Sequence, residues 1–411
     1  MIGECRSSVA LKSRGFGMKS TFRTAACLVI ACAAVAMVGA AHAQWTVTNL
    51  HPAAAADSYS LAVSNTLQVG YAGAHAGYWT GTALSWIDIN DPNGSNISQA
   101  YATFGGIEAG YATAQGTPHA CMWSGSSGSR IELHPAGASN SAVYALSNSQ
   151  QAGVAAIGGV GHASLWSGTP GSWLDLNPAG SLQSAALAMS GARQGGYARM
   201  SSFNHASLWN GTAASWTDLN PAGATESTVY GMTDTQQAGS ATVTAGLHAG
   251  VWSGSAASWV DLNPTGSSES VAYAAHGGLQ AGYALKGSVS HAGIWKGTPA
   301  TWIDLSAFLP AGYADSYAQG IWTDGTVTYV CGWGFNTLAG RNEALLWTFS
   351  GPCIGDLNGD DKVDLSDVAT LLSHYGTPSG ATPADGDIDG DFDVDLTDLA
   401  TLLSHFGQIC P

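Results

Sequence analysis

Between Val47 and Trp347 no stretch holds apolar residues at i, i+3, i+4 and i+7, so the chain offers no amphipathic helix there. Short runs of small, apolar and aromatic residues alternate instead with Gly, Ser, Asn and Pro. That pattern predicts many short strands joined by tight turns. Helical spacing occurs only near the C-terminus. Val368, Leu371, Leu372 and Tyr375 share one face of a predicted helix that stops at Gly376. Leu399, Leu402, Leu403 and Phe406 repeat that face and stop at Gly407.

The strand pattern is periodic. His-Ala-x-x-Trp occurs at His75, His119, His162, His205, His248 and His291, at intervals of 43 or 44 residues. Eleven residues after each His stands a Trp (Trp86, Trp173, Trp216, Trp259, Trp302), replaced once by Arg130. Two residues further comes an acid: Asp88, Glu132, Asp175, Asp218, Asp261 or Asp304. An Asn-Pro turn and a small-residue run follow in units such as 177–190, and Gln-Ala-Gly-Tyr-Ala or a variant closes each unit at Gln68, Glu108, Gln151, Gln194, Gln237 and Gln280. Four strands in about 43 residues is the size of a propeller blade.

The ends set the number of blades. Val47–Pro52 aligns with Arg130–Pro135, so the array begins in mid-unit. The missing strand returns at the far end as Glu343-Ala-Leu-Leu-Trp347. Each strand type is thus present seven times, and the last blade is shared between the two ends of the array. The expected fold is an all-β seven-bladed β-propeller with circular closure, which leaves few sheet edges exposed. A mixed sandwich and an open solenoid are the competing arrangements.

A His repeated in unit after unit is expected to fix the blade by a hydrogen bond, since buried polar groups need partners. The paired Trp, such as Trp166 and Trp173, are expected to fill the space between sheets. The longer last unit stands apart. Its extra residues, about 308–341, include Asp315, Trp322, Asp324, Trp333 and Arg341. There is no sialidase-type Asp box, Gly-x-Ser-x-Gly elbow, His-Glu-x-x-His or acid pair spaced for glycoside hydrolysis. No catalytic residue is therefore assigned. Propeller sites draw single residues from several blades, so an enzyme stays open as the alternative.

Composition adds a compartment. Hydrophobic residues make up 45% and charged residues 10% of the 411, which argues against disorder. Residues 1–43 read as an export signal: a basic start from Met18 (the possible true start), an apolar run from about Ala25 to Ala40, and Ala41-His42-Ala43 as the cleavage pattern. Val29-Ile30-Ala31-Cys32 offers a rival lipoprotein site, and an uncleaved anchor would need a longer apolar run. Export permits disulfides. Cys353 and Cys410 bracket the C-terminal segment and are expected to pair; Cys121 and Cys331 are expected to remain free thiols.

Charge then divides the chain at about 350. The formal net charge is −16, and from Gly351 onward there are twelve Asp and one Lys. This excludes a nucleic-acid partner and points to a metal. Asp356, Asn358, Asp360, Lys362, Asp364 and Asp367 stand at positions 1, 3, 5, 7, 9 and 12 of one loop. Asp387, Asp389, Asp391, Asp393, Asp395 and Asp398 do so in a second. Ca²⁺ takes six to eight oxygens, delivered at just this spacing, with position 7 giving a backbone carbonyl. Two Ca²⁺ ions are expected. Each loop leads into a helix with no entering helix before it, as half of an EF-hand.

The array from about 47 to 347 resembles the HAF-type extracellular repeats, with Gly, Ser or Cys where that family has Phe. The resemblance implies secretion. Residues 355–407 resemble a type I dockerin domain, with Asp at position 12. Position 6 holds Asp361 and Phe392 where EF-hands carry Gly, and Gly359 and Gly390 stand at position 4. The resemblance implies docking to a cohesin-like protein or cell-surface scaffold through Leu365-Ser366 and Leu396-Thr397, flanked by Ser373-His374 and Ser404-His405. The organisation expected is a signal (1–43), a repeat propeller (44–350) and a dockerin-like domain (351–411). The function expected is a secreted, non-catalytic repeat protein assembled through its tail, with a dockerin-tethered polysaccharide-active enzyme or a glycan-binding propeller as alternatives.

Overall fold

The computed structural model describes residues 44–91, 97–147, 149–351, 354–360 and 362–407. The export signal, Cys32, Asp361, Cys353 and Cys410 lie outside the described residues. Within them, seven four-stranded antiparallel sheets follow one another along the chain. Six are built from consecutive strands, over residues 58–88, 98–132, 138–175, 183–218, 226–261 and 269–304. The seventh takes Tyr313–Thr323, Val327–Asn336 and Arg341–Ser350, and its outermost strand is β1 (Gln44–Asn49) from the other end of the array. Val47 pairs with Trp347 and Asn49 with Leu345. The fold is a seven-bladed β-propeller, closed by this shared blade. The extra residues of the last unit form no separate insertion; they lengthen three strands of blade 7 to ten or eleven residues.

The sequence unit and the blade are out of phase. The blade runs from the small-residue strand through the Gln-Ala-Gly strand and the His-Ala-x-x-Trp strand to a two-residue Trp-x-Asp strand, as in Ser58–Ser64, Leu67–Ala72, His75–Trp79 and Ile87–Asp88. The first Trp of each unit is the core residue. Trp79, Trp123, Trp166, Trp209, Trp252, Trp295 and Trp347 are all essentially inaccessible. The second Trp leans on the first, with Trp79 and Trp86 ring centroids 4.4 Å apart. It also accounts for the small third residue of the motif. A Cβ on Gly77 would lie 2.3 Å from the Trp86 ring, and one on Gly250 would lie 1.9 Å from Trp259. Where Ser takes that place, it accepts the indole N–H instead: Trp173 Nε1 donates to Ser164 Oγ at 2.9 Å.

One polar clasp joins each blade to the next. The backbone N–H of Ala206, in the third strand of blade 4, donates to Ser227 Oγ in the first strand of blade 5 at 2.9 Å. Ser227 Oγ donates to Asn220 Oδ1 at 2.6 Å, and Asn220 N–H donates to Asp218 Oδ1 at 2.8 Å. The other carboxylate oxygen meets His205 Nδ1 at 2.8 Å. The Ala-to-Ser bond recurs at all seven joints, including Ala344 to Ser58 across the closure. His51 and His134 replace the Asn at two joints and bond Ser58 and Ser141. The repeated His therefore fixes the blade, as expected of it.

The clasp gives a graded prediction. Ser227 is 2% exposed, and its loss strands the buried Ala206 N–H and leaves the part-buried Asn220 Oδ1 without its donor. Ser227→Ala is expected to cost about 1–3 kcal/mol. The His205 and Asp218 side chains are 24% and 39% exposed, so His205→Ala is expected to cost less than about 1 kcal/mol. Denaturant unfolding of the two variants checks the order.

At the closure the pair is rebuilt. Glu343 stands where the His stood and Asn49 where the acid stood, with Asn49 Nδ2 donating to Glu343 Oε2 at 2.8 Å. Burial opposes ionisation of Glu343, but hydrogen bonds from Tyr313, Asn336, Arg341 and Asn49 outweigh it and hold the carboxyl at about 2. The folded pKa lies below the unfolded one, so this stability is present above the unfolded value and is lost as pH falls through the folded one. The thermal midpoint of the wild type is expected to fall more steeply than that of Glu343→Gln between about pH 4.5 and pH 2.

Cys121 and Cys331 are free and buried. Burial pushes the Cys331 thiol up to about 12 and the Cys121 thiol upward as well. Both are therefore unreactive core residues.

Candidate metal centre

Beyond Ser350 the chain forms two loop-helix units. The helices are α1 (Leu365–His374) and α2 (Leu396–Ser404), capped at their N-termini by Asp364 and Asp395. Each cap is reciprocal: Asp364 with Asp367, and Asp395 with Asp398. The left-handed glycines Gly376 and Gly407 lie just past the helices, as the sequence predicts. The units clasp each other through position 8 of each loop. Gly376 N–H donates to Val394 O, and Gly407 N–H donates to Val363 O, both at 2.8 Å. Val363, Leu371, Ala381, Val394 and Leu402 make the small core.

Half of each predicted apolar helix face stays outside this core. Leu372, Tyr375, Leu403 and Phe406 are 52%, 47%, 53% and 47% exposed. Two short helices packed on two loops bury one side each, and these residues lie beyond it. Leu365 and Leu396, the docking candidates, are 74% and 66% exposed, and Ser366 and Thr397 beside them are exposed too.

The loops repeat each other bond for bond. In the first, Leu357 and Asn358 N–H groups donate to Asp367 Oδ1, and Asp364 N–H donates to Oδ2. In the second, Ile388 and Asp389 donate to Asp398 Oδ1, and Asp395 donates to Oδ2. Position 1 curls the loop start: Gly359 N–H donates to Asp356 Oδ1 at 2.7 Å and Gly390 N–H to Asp387 Oδ1 at 2.8 Å. Asp367 and Asp398 are fully buried and Asp387 is 3% exposed. Phe392 adopts φ +73°, so position 6 takes the left-handed turn usual for Gly although it carries a large side chain.

The carboxylates of the second loop crowd one another. Asp387, Asp389 and Asp391 offer oxygens within 4.8 Å of each other, and so do Asp393, Asp395 and Asp398. Burial raises the Asp389 and Asp393 carboxyls, and neighbouring carboxylates raise them further. Asp393 Oδ1 is buried without a hydrogen-bond partner. Ca²⁺–oxygen bonds of about 2.4 Å reach oxygens up to about 5 Å apart, so this donor set fits a hard divalent cation. Asp356, Asn358, Asp360, Asp364 and Asp367 would hold the first ion with the Lys362 carbonyl. Asp387, Asp389, Asp391, Asp395 and Asp398 would hold the second, with Asp393 at position 7.

The distinctive residues of blade 7 have structural partners. Asp315 Oδ1 accepts from Ser290 N–H at 2.8 Å. Asp324 caps its turn by accepting from Thr326 and Val327 N–H groups, which hold its carboxyl low. Arg341 Nε donates to Glu343 at 2.8 Å, and Trp322 stacks on Tyr329. Trp333 stacks on Tyr317 at 4.4 Å, within a larger aromatic arc that sequence reasoning missed. The arc is spread over four blades, and only the recurring Tyr of the Gln-Ala-Gly-Tyr closers hints at it.

Among the described residues no helix is long and apolar enough to cross a membrane. No family model matches the chain, and no curated protein matches it in sequence. Similar solved structures include a puromycin hydrolase mutant (11% identity, 70% of this chain and 53% of that one, TM-score 0.49). A TolB from Acinetobacter baumannii matches at 11% identity over 60% of this chain and 61% of that one, with TM-score 0.39. An acylaminoacyl peptidase of Pyrococcus horikoshii matches at 8% identity over 68% and 50%, with TM-score 0.40. The chain spans about half the length of the hydrolase and of the peptidase. At these scores the likenesses carry nothing about activity, and the blade number rests on the strand pairing above.

Proposed function

We propose that this chain is a secreted, non-catalytic propeller that is attached to a partner through a C-terminal module folded around two Ca²⁺ ions. The module would comprise residues 351–411 and behave as a type I dockerin does, docking to a cohesin-like protein or surface scaffold. The observation that carries the reading is the duplication: two loops with the same hydrogen bonds to the position-12 Asp, each presenting the same exposed Leu-Ser/Thr pair. Asp356 and Asp387 open the two ion sites, and Asp367 and Asp398 close them. Leu365-Ser366 and Leu396-Thr397 are the contact pairs, one per face. Because the faces are near copies, either would serve.

The test is binding of the full chain to a panel of type I cohesin modules, with calcium and with chelator. Calcium-dependent binding is expected. It should survive Ser366→Asp or Thr397→Asp alone, since one face remains, and fall about a hundredfold or more in the double variant. Calcium-independent binding, binding unchanged in the double variant, or no binding across the panel would sink the docking reading. The rival reading is a tethered polysaccharide-degrading enzyme. Reproducible sugar release from plant or algal polysaccharides, lost in Asp315→Ala or Asp324→Ala, would establish it instead.

A further inference from the structure

Each first strand carries a one-residue bulge against the second, opposite the Gly of the Gln-Ala-Gly motif. A Cβ on that Gly would sit about 2 Å from a backbone carbonyl, as at Gly70 and Gly239. The bulge aims one extra side chain per blade at the axis, where these residues line a cavity of about 200 Å³. That residue is Tyr in four blades (Tyr101, Tyr144, Tyr230, Tyr273), Leu in two (Leu61, Leu187) and Gln319 in the last. Leu61 and Leu187 fill the same position with no polar group, so the phenol hydroxyls are an addition.

The tyrosines continue outward as one arc. Tyr71 stacks on Tyr59 at 4.7 Å, Tyr59 meets the Trp333 edge at 5.3 Å, and Trp333 stacks on Tyr317 at 4.4 Å. Tyr283 and Tyr273 carry the line on to Tyr230. Tyr59 and Tyr317 lie two residues before the bulges, so the arc surrounds the end of the axis where the first strands begin. All its rings except Tyr283 are partly exposed. Asn342 Nδ2 donates to the Tyr59 hydroxyl, and Tyr283 bonds Glu269, so part of the arc is held rigid. Other phenols are left over. Among the described residues Tyr71 and Tyr273 have no hydrogen-bond partner in the protein.

Flat, partly exposed aromatic faces, rigid side chains with two torsions, and hydroxyl donors left without a protein partner suit a ligand with apolar ring faces and hydroxyl rims. We propose that this aromatic arc, from Tyr71 through Trp333 to Tyr230, binds an uncharged oligosaccharide. The site stands independently of the calcium module. A polyanion is opposed by the Glu269 carboxylate beside Tyr283.

The full chain, in calcium, is titrated with cello-, xylo-, manno-, chito- and laminari-oligosaccharides and with choline, followed by calorimetry and tryptophan emission. Binding of at least one oligosaccharide is expected. It should weaken about tenfold or more in Trp333→Ala and about three- to tenfold in the double variant Tyr71→Phe, Tyr273→Phe, which keeps the packing. Leu84→Ala, fully exposed and at the opposite end of its blade from Tyr59 and Tyr71, should leave it unchanged. Circular dichroism confirms folding of each variant. No binding across the sugars, sugar binding untouched by both aromatic variants, or binding of choline alone (an aromatic cation cage) would each overturn the proposal.

Discussion

Chelating calcium is expected to abolish amide-exchange protection across residues 354–407 while residues 44–350 stay protected. The physical reason is the size of the C-terminal core. Among the described residues only Val363, Leu371, Ala381, Val394 and Leu402 are buried apolar side chains there, and a unit of about 60 residues is marginal without staples. Its charge opposes folding as well. Crowded carboxylates in the second loop repel one another, and Asp393 Oδ1 has no partner. A bound cation reverses that repulsion. With free calcium at a thousandfold over its dissociation constant, each site contributes about 4 kcal/mol to the folded state. Asp398→Ala should act like local chelation, because its two oxygens also hold three backbone N–H groups. Protection that persists in chelator would show that packing alone folds the segment.

The second large effect is expected at the ring closure. Deleting residues 44–50 should cost about 5 kcal/mol or more and turn a closed ring into one with a long exposed edge. β1 pairs over six residues with Arg341–Ser350, and Trp45 and Leu50 are buried between blade 7 and its two neighbours. Leu50→Ala alone should cost about 2–5 kcal/mol, since Leu50 is fully buried. The deletion also leaves the outward-facing N–H and C=O groups of Leu345–Ser350 unpaired, a template for strand addition. Calorimetric unfolding together with light scattering checks both parts: a lower midpoint, and self-association at concentrations where the intact chain stays monodisperse. A deletion variant with an unchanged midpoint would mean that blade 7 is stable with three strands.

Much of this was legible in the sequence because the repeat is strict. The His-Ala-x-x-Trp period and the half-unit at Val47 are enough to derive seven blades and their closure. The phase of the blade was not legible. Periodicity cannot tell which strand comes first, and the deciding contact, Ser227 clasping the preceding blade, is a tertiary one. The bulges were hidden for the same reason: the Gly of Gln-Ala-Gly reads as a turn residue until a carbonyl is seen against it. Gly, Ser or Cys at the third motif position looked like a departure from a family pattern, and it is explained by the second Trp lying over that position. In the C-terminal segment, the spacing of the second loop brings its six carboxylates into two close groups of three, and each loop leads into a helix. The helix faces did not carry over to the structure, since Leu372 and Leu403 have the period of core residues but no neighbouring element to cover them. Phe392 at φ +73° was also invisible, because side-chain identity argues against the backbone state that the loop imposes.

The most direct test of calcium as the organiser of this tail is calorimetric titration of the calcium-stripped full chain. The account predicts two ions bound per chain, one in Asp387→Ala, and none when Asp356→Ala is added. Absence of binding heat in the wild type, or two ions still bound in the double variant, would contradict it.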